Sequence, residues 1–104
     1  MRKITSQAIE AFTNGKNFKS GATSVEAQDT GVTFLVLHGH RIAAHSSSEG
    51  LSINLCGWNT PTTRERLNGL PSVNVNTVKG QAFLNGNPIP SDGWVKVEVN
   101  LNIV

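Results

Sequence analysis

The spacing of apolar residues changes from helical to strand-like early in the chain, and this change restricts the fold more than any other feature. The first segment predicts an amphipathic helix, because its apolar residues recur every three to four positions at Ile4, Ala8, Ile9 and Phe12. Thr5 or Ser6 is the predicted cap, and Asn14-Gly15 offers a left-handed stop. From Phe18 onward the period is two, so strands follow this one short helix.

The first group of strands lies in the first half of the chain. A tight reversal is predicted at His38-Gly39, because Gly39 accepts a positive φ. Further along, Leu51, Ile53 and Leu55 alternate with polar residues, which predicts a strand with one apolar face. The predicted strands cover residues 23–29, 32–37, 40–45 and 51–56.

A second helix is predicted in the middle of the chain. Gly57 breaks the preceding strand, and Thr60 can cap the helix while Pro61 takes its first position without losing a needed hydrogen bond. Gly69 is the predicted terminator, and Pro71 prevents the helix from continuing.

The last part of the chain predicts hairpins and one long strand. Residues 73–78 and 81–84 flank a turn at Lys79-Gly80, and Asn85-Gly86 is the strongest tight-turn dipeptide in the sequence. The final strand is the clearest of all, with apolar residues at every second position: Val95, Val97, Val99, Leu101 and Ile103.

These elements predict an α+β fold in a single domain over residues 1–104. We expect a small antiparallel sheet of about five to seven strands, with the two short helices on one face. The long last strand is expected at an edge, where it can pair with a copy of itself and make a homodimer. With 38% hydrophobic residues, the core is modest in size.

The charge balance argues against function classes that depend on strong electrostatics. Nine Lys and Arg against seven Asp and Glu give a net charge of +2, and only 15% of residues are charged. That excess is too small to indicate nucleic-acid binding. Eleven asparagines supply much of the polar surface, which suits turns and adaptable hydrogen bonding. A lone cysteine, the absence of a signal-like apolar run and the absence of a membrane-length segment make the cytoplasm the expected compartment.

Catalytic and metal-binding constellations are weakly represented. His38 and His40 would face the same side of a strand and could share a metal, but Cys56 is the only thiol that could join them. If Gly39 makes a turn, the two imidazoles belong to a polar hairpin tip instead. Cys56 alone is more typical of a small buried apolar residue than of a nucleophile. The carboxylates form no paired motif, so no catalytic residue, metal site or cofactor is predicted.

The segment from Gly57 to Leu70 is the most distinctive part of the sequence. A helix N-terminus has free N–H groups and can hold an anion, and here it is surrounded by hydroxyl, guanidinium and indole groups. The candidate binding residues are Trp58, Asn59, Thr60, Thr62, Thr63, Arg64 and Arg66. The simpler alternative, which we favour, is that Thr60 caps the helix, Trp58 anchors its entry and the arginines are solvated.

The residues from Gly57 to Pro71 also resemble a segment found in small uncharacterised accessory proteins of tailed bacteriophages. Its mark is the pattern Gly-Trp-Asn-Thr-x-Thr-Thr-x-x-Arg-Leu-Asn. The likeness extends to the N-terminal helix, the region around His38-Gly39 and the two later turns, and so covers the chain to about Gly86. It implies a small phage protein made in an infected bacterial cytoplasm, and it carries over no functional residue.

The leading hypothesis is a non-enzymatic accessory protein that binds a protein partner, plausibly a host-directed factor. The alternatives are nucleic-acid or nucleotide binding through the start of the Thr60–Arg66 helix, and a role as a minor virion component. A membrane partner is not expected.

Overall fold

The computed structural model describes residues 2–97, and over that range the chain forms two helices and nine strands. This confirms the α+β class. In chain order the elements are α1 (Lys3–Thr13), β1 (Phe18–Ser20), β2 (Thr23–Ala27), β3 (Thr33–Leu37), β4 (His40–Ser46), β5 (Gly50–Ile53), α2 (Pro61–Leu67), β6 (Val75–Val78), β7 (Gln81–Leu84), β8 (Asn87–Ile89) and β9 (Val95–Lys96).

The strands are divided between two antiparallel sheets. The larger has six strands in the order β1-β2-β3-β4-β5-β9, a size within the predicted range. The predicted hairpins do not join it; they form a separate three-stranded sheet, β6-β7-β8. The strand that joins the large sheet next to β5 is β9, through Ile53 opposite Val95.

Three predicted two-residue turns are confirmed by their backbone angles. His38 and Gly39 have φ of 52° and 79°, and both Lys79-Gly80 and Asn85-Gly86 also have positive φ at each position. Positive φ at both central residues is the geometry that matches the twist of a hairpin. The register follows from it, with Leu37 opposite His40 across the first of these turns.

An irregularity in β4 places two consecutive residues on the core side of the large sheet. The register between β3 and β4 shifts between Leu35 and Val36, because Ala43 pairs with Leu35 while Arg41 pairs with Val36. Ile42 is therefore an extra residue, as in a β-bulge. Ile42 and Ala43 are both buried, whereas strict alternation would have exposed one of them.

Both helices pack on the same face of the large sheet, as predicted. α1 lies against β1, β2 and β3, while α2 contacts β4 and β6. They share one core with the inward residues of the strands, among them Leu35, Ile53 and Leu67, which are fully buried. The opposite face of the sheet carries no helix among residues 2–97.

The ends of α1 differ from the prediction at one terminus. The left-handed stop is confirmed, since Gly15 has a φ of 66°. The predicted cap at Thr5 or Ser6 is wrong: Arg2 is the N-cap residue and makes no side-chain cap bond. Thr5 lies inside the helix and is fully buried, and its hydroxyl is satisfied there by donating to Oε1 of Glu65 at 2.6 Å.

α2 starts as predicted and ends differently. The Thr60 hydroxyl accepts from the Thr63 N–H, and Pro61 occupies the first helical position. At the other end Asn68, not Gly69, is the C-cap. The Asn68 side chain then binds the backbone N and O of Val75, at 2.6 and 3.0 Å, and so joins α2 to the small sheet.

The strand predicted over 51–56 ends at Ile53. The Asn54 side chain accepts from the Cys56 N–H at 2.8 Å and from the Gly93 N–H at 3.1 Å, which turns the chain and ties it to the segment before β9. The predicted last strand begins as expected with Val95 and Lys96 at the sheet edge. Its remainder, residues 98–103, lies outside the described residues.

Candidate functional site: the Trp58 cleft

A cleft of about 530 Å³ lies between the β3–β4 hairpin and the segment that leads into α2. We call it the Trp58 cleft. It is lined by Leu37, His38, His40, Ile42, Leu55, Trp58, Thr60, Thr62 and Thr63. The distinctive segment of the sequence and the His38–His40 hairpin tip therefore meet at one place.

The floor of the Trp58 cleft is apolar and belongs to the protein core. Leu37, Ile42 and Leu55 are 4%, 2% and 1% exposed. Ile42 is directed to the core side by the bulge in β4. The floor is rigid for this reason, because each residue is held by core packing from below.

One wall is formed by aromatic rings. Trp58 is 57% exposed, an unusual state for so large an apolar side chain. Its ring centroid is 5.9 Å from that of His40, with the two planes tilted by 36°. His38 is exposed in the adjacent turn. We expected Trp58 to anchor the entry of α2 into the core, but more than half of its side chain is exposed.

The opposite wall is formed by the start of α2. The Thr60 hydroxyl lies 3.2 Å from the Thr63 nitrogen and 3.0 Å from the Thr63 hydroxyl. These two hydroxyls are thus engaged with each other in the cap. Thr62 is half-buried and lies on the same wall.

Asn59 and Arg64 stand beside the cleft and fix its shape. Arg64 Nη1 donates to the Asn59 carbonyl at 3.0 Å, to Asn59 Oδ1 at 2.6 Å and to the Thr77 hydroxyl at 3.1 Å. This guanidinium therefore connects the segment before α2 to β6. Arg64 is half-buried and its Nη1 is held by these three bonds, whereas we expected an arginine directed fully into solvent.

Arg66 is part of a buried network on the other side of α2. It is only 4% exposed; its Nε donates to the Thr23 hydroxyl at 3.2 Å and its Nη1 to the Thr5 hydroxyl at 2.9 Å. Nη1 also forms an ion pair with Glu65. The network fastens α2 to α1 and β2, so the expectation of a solvated Arg66 is wrong.

The structure thus brings together only part of the predicted binding set. Trp58, Thr60, Thr62 and Thr63 line the cleft, Asn59 and Arg64 support it, and Arg66 lies in the core. The two arginines that an anion site would use already have internal partners.

The other candidate chemistry is also placed by the structure. The Cys56 Sγ lies 3.2 Å from the Arg41 carbonyl, and burial together with the nearby charge of Asp92 raises the pKa of its thiol. A raised pKa lowers the thiolate fraction. Within residues 2–97, no three His, Cys, Asp or Glu side chains are grouped so that they could hold a metal ion.

Comparison with known families decides the affiliation. A model of the family described as Kyanoviridae Gp96 protein matches residues 1–100. The chain belongs to this phage protein family. The match confirms the resemblance to small phage proteins and extends it beyond Gly86, into the last strand. No curated protein and no solved structure matches the chain.

In this member of the Kyanoviridae Gp96 family, none of the helices within residues 2–97 has the length and apolar character needed to cross a bilayer. The floor of the Trp58 cleft was not predicted as part of a site. Leu37 and Leu55 could be assigned to strands, but the sequence has no signal that they lie below Trp58. The bulge that adds Ile42 likewise has no marker in the sequence.

The Glu65 carboxylate is expected to make this Gp96-family protein less stable at acidic pH. Burial raises its pKa, but hydrogen bonds from Thr5, the Arg2 N–H and Arg66, with the Arg66 charge, outweigh burial and leave the pKa below its ordinary value. A carboxyl whose folded pKa is lowered stabilises the fold above its unfolded pKa and loses that contribution as pH falls through the folded value. We expect the denaturant concentration at the midpoint of unfolding to decrease as the pH is lowered below about 4.5, the ordinary pKa of a glutamate. The Glu65→Gln variant should show a smaller decrease over the same pH range. An equal fall in both proteins would contradict this assignment.

Proposed function

We propose that this phage protein is a non-enzymatic accessory protein that binds a protein partner through the Trp58 cleft. The observation that carries the proposal is the exposed indole of Trp58 beside a rigid apolar floor. Tryptophan is the residue most enriched at the energetic centres of protein interfaces, where it is surrounded by groups that exclude water. The volume of the cleft is within the usual range for binding pockets.

The chemistry of the cleft specifies an uncharged apolar or aromatic side chain of the partner as the occupant. Its lining contains no carboxylate, lysine or arginine. A charged side chain placed there would lose its hydration without gaining an opposite charge. An aromatic or branched aliphatic group would instead bury apolar area against Leu37, Ile42 and Leu55 and pack against the Trp58 ring.

Nucleic-acid or nucleotide binding is the second hypothesis, and the internal bonds of Arg64 and Arg66 count against it. Phosphate binding by Arg66 would require breaking its ion pair with Glu65. The Nη1 of Arg64 already donates to Asn59 and Thr77. We favour a protein partner for this reason. The match to a phage protein family is consistent with action in the cytoplasm of an infected bacterium. We take a host protein as the partner, and a minor virion component is the alternative.

The test places a photo-crosslinking amino acid at Thr62, on the wall of the cleft, during infection of the host. The same group at Lys19, an exposed position on β1, serves as the control. Crosslinked proteins found only with the Thr62 probe are identified by mass spectrometry and purified. Their affinity is then measured for the wild type, Trp58→Ala and Val78→Ala.

Trp58→Ala is expected to weaken the purified partner's binding about 30-fold, the effect of losing a central aromatic anchor. Val78→Ala is the control, because Val78 is another exposed apolar side chain, at 51%, and does not line the cleft. It should change the affinity less than about 3-fold. Equal effects of the two variants would reject the cleft as the binding site. Crosslinking to nucleic acid with steep salt dependence would favour the second hypothesis.

A further inference from the structure

The face of the large sheet that carries no helix is a second surface with aromatic character. We call it the outer face and define it by Glu26, Phe34, Arg41, Ala44, Ser52 and Trp94, which surround a shallow hollow. The ring centroids of Phe34 and Trp94 are 6.5 Å apart, within the range of aromatic contact. This surface adjoins the Trp58 cleft at His40, which lines both, but its other lining residues are different.

Charges of both signs are interleaved with these rings. The Arg41 guanidinium lies 4.2 Å from the centroid of Phe34, and Arg41 Nη2 lies 3.6 Å from Glu26 Oε1. Glu49 adjoins the hollow, and Lys96, which pairs with Ser52, is exposed on the same side. Lys19 is exposed on this side too, because it pairs with Ser24, which pairs with Val36. The outer face therefore presents two carboxylates and three cations around an aromatic centre.

We propose that the occupant of the outer face is a second copy of this chain, packed face to face about a two-fold axis. A two-fold interface uses the same patch on both subunits, so the patch must complement itself. A surface with one sign of charge would repel its copy, whereas a surface with both signs allows every carboxylate to approach a cation. The aromatic and arginine residues at the centre are those enriched in interface cores.

The dimensions of the sheet are adequate for such a dimer. The six strands contain 26 residues in all. At about 3.3 Å per residue and about 4.8 Å between strands, they give a projected area of roughly 400 Å². Side chains that stand off the sheet raise the accessible area toward the roughly 800 Å² per partner that is typical of a stable interface. Two sheets packed at about 10 Å would form a sandwich.

The arrangement differs from the homodimer predicted through the last strand, which would pair sheet edges. It does not use Trp58 or the apolar floor of the cleft, so it can fail without the proposed function failing. An edge-paired dimer depends on backbone groups and tolerates changes of side-chain charge on the outer face. Charge changes on that face therefore distinguish the edge-paired dimer from the face-to-face dimer.

The experiment uses two double variants of the full chain with opposite charge on the outer face. R41E/K96E makes the face acidic, and E26R/E49R makes it basic. In analytical ultracentrifugation we expect the wild type to be a dimer, each double variant alone to be a monomer, and their equimolar mixture to recover a dimer. Circular dichroism melting shows that each variant is folded.

A wild type that is monomeric throughout the accessible concentration range overturns the proposal. So does a wild-type dimer that both folded double variants retain, since it would then use the edge or another surface. If a double variant does not fold, Trp58→Phe, with Trp94 as its only tryptophan, replaces it. Its emission should shift to shorter wavelength as concentration rises into the dimer range, and an unshifted emission in a dimer contradicts the face-to-face arrangement.

Discussion

Replacing Arg66 with alanine is expected to lower the free energy of unfolding by about 3–5 kcal/mol, as is typical when one partner of a buried ion pair is removed. The side chain is 4% exposed and supplies donors to the hydroxyls of Thr5 and Thr23 and to the Glu65 carboxylate. After truncation these groups lose their partner in a place that water reaches poorly, and a buried unpaired polar group is costly. Chemical denaturation at neutral pH provides the measurement.

Arg66→Met is the matched control, because methionine retains much of the apolar stem and removes only the charged donor group. We expect it to lose most of the same stability, which would assign the effect to hydrogen bonding and charge. A methionine variant as stable as the wild type would show that the arginine contributes mainly packing. A loss below about 1 kcal/mol for Arg66→Ala, the size expected of an exposed ion pair, would contradict the buried network altogether.

The second large effect is expected at the floor of the Trp58 cleft. Leu55→Ala should cost about 2–5 kcal/mol, the range for a buried leucine cut back to alanine, because Leu55 is 1% exposed and belongs to the common core. The same truncation deepens the cleft from below. Thermal unfolding measures the cost, with a shift in Tm of about 4–8 °C for each kcal/mol in a domain of this size.

Leu55→Met is the control for lost volume, since methionine is apolar and similar in size to leucine. It should lower the free energy of unfolding by less than about 1.5 kcal/mol. Thr62→Ala, on the wall of the same cleft but only half-buried, should leave stability nearly unchanged. If Leu55→Ala were as stable as Thr62→Ala, Leu55 would not be supported by core packing and the floor would not be rigid.

Local features of the fold could be predicted from the sequence because their causes are local. The turn at Asn85-Gly86 follows from two residues that tolerate positive φ, and the start of α2 follows from Thr60 and Pro61. The period-two pattern gave the strands of the large sheet because one face of that sheet is buried. In each case the few residues that determine the structure are adjacent in the chain.

The errors concern contacts between distant residues. Thr5 resembles a helix cap because nothing near it in the chain shows that Glu65 and Arg66 will lie beside it. Arg66 resembles a solvated residue for the same reason. The sequence also did not show that β9, and not a strand of the hairpins, pairs with β5. Alternation of apolar residues predicts a strand but does not determine which strand it pairs with.

In the Trp58 cleft, too, the local features could be predicted and the contacts between distant residues could not. The segment around Trp58 was identified because its composition is unusual, but its meaning depended on what lies opposite. The hairpin tip with His38 and His40 forms the facing part of the cleft, and the bulge supplies Ile42 to its floor. The spacing of residues in the sequence predicts neither the position of the hairpin tip opposite Trp58 nor the position of Ile42 in the floor.

The pairing order of the strands has a consequence for how the chain folds. Within residues 2–97, every paired strand but one lies beside its neighbour in the chain, and the exception is β9, which returns to β5 after more than forty residues. Closing a long loop costs more chain entropy than closing a hairpin, and non-local pairings slow folding. The barrier associated with topology is therefore concentrated in a single event, the arrival of β9. Since Trp94 directly precedes β9, the same event also brings this indole to Phe34.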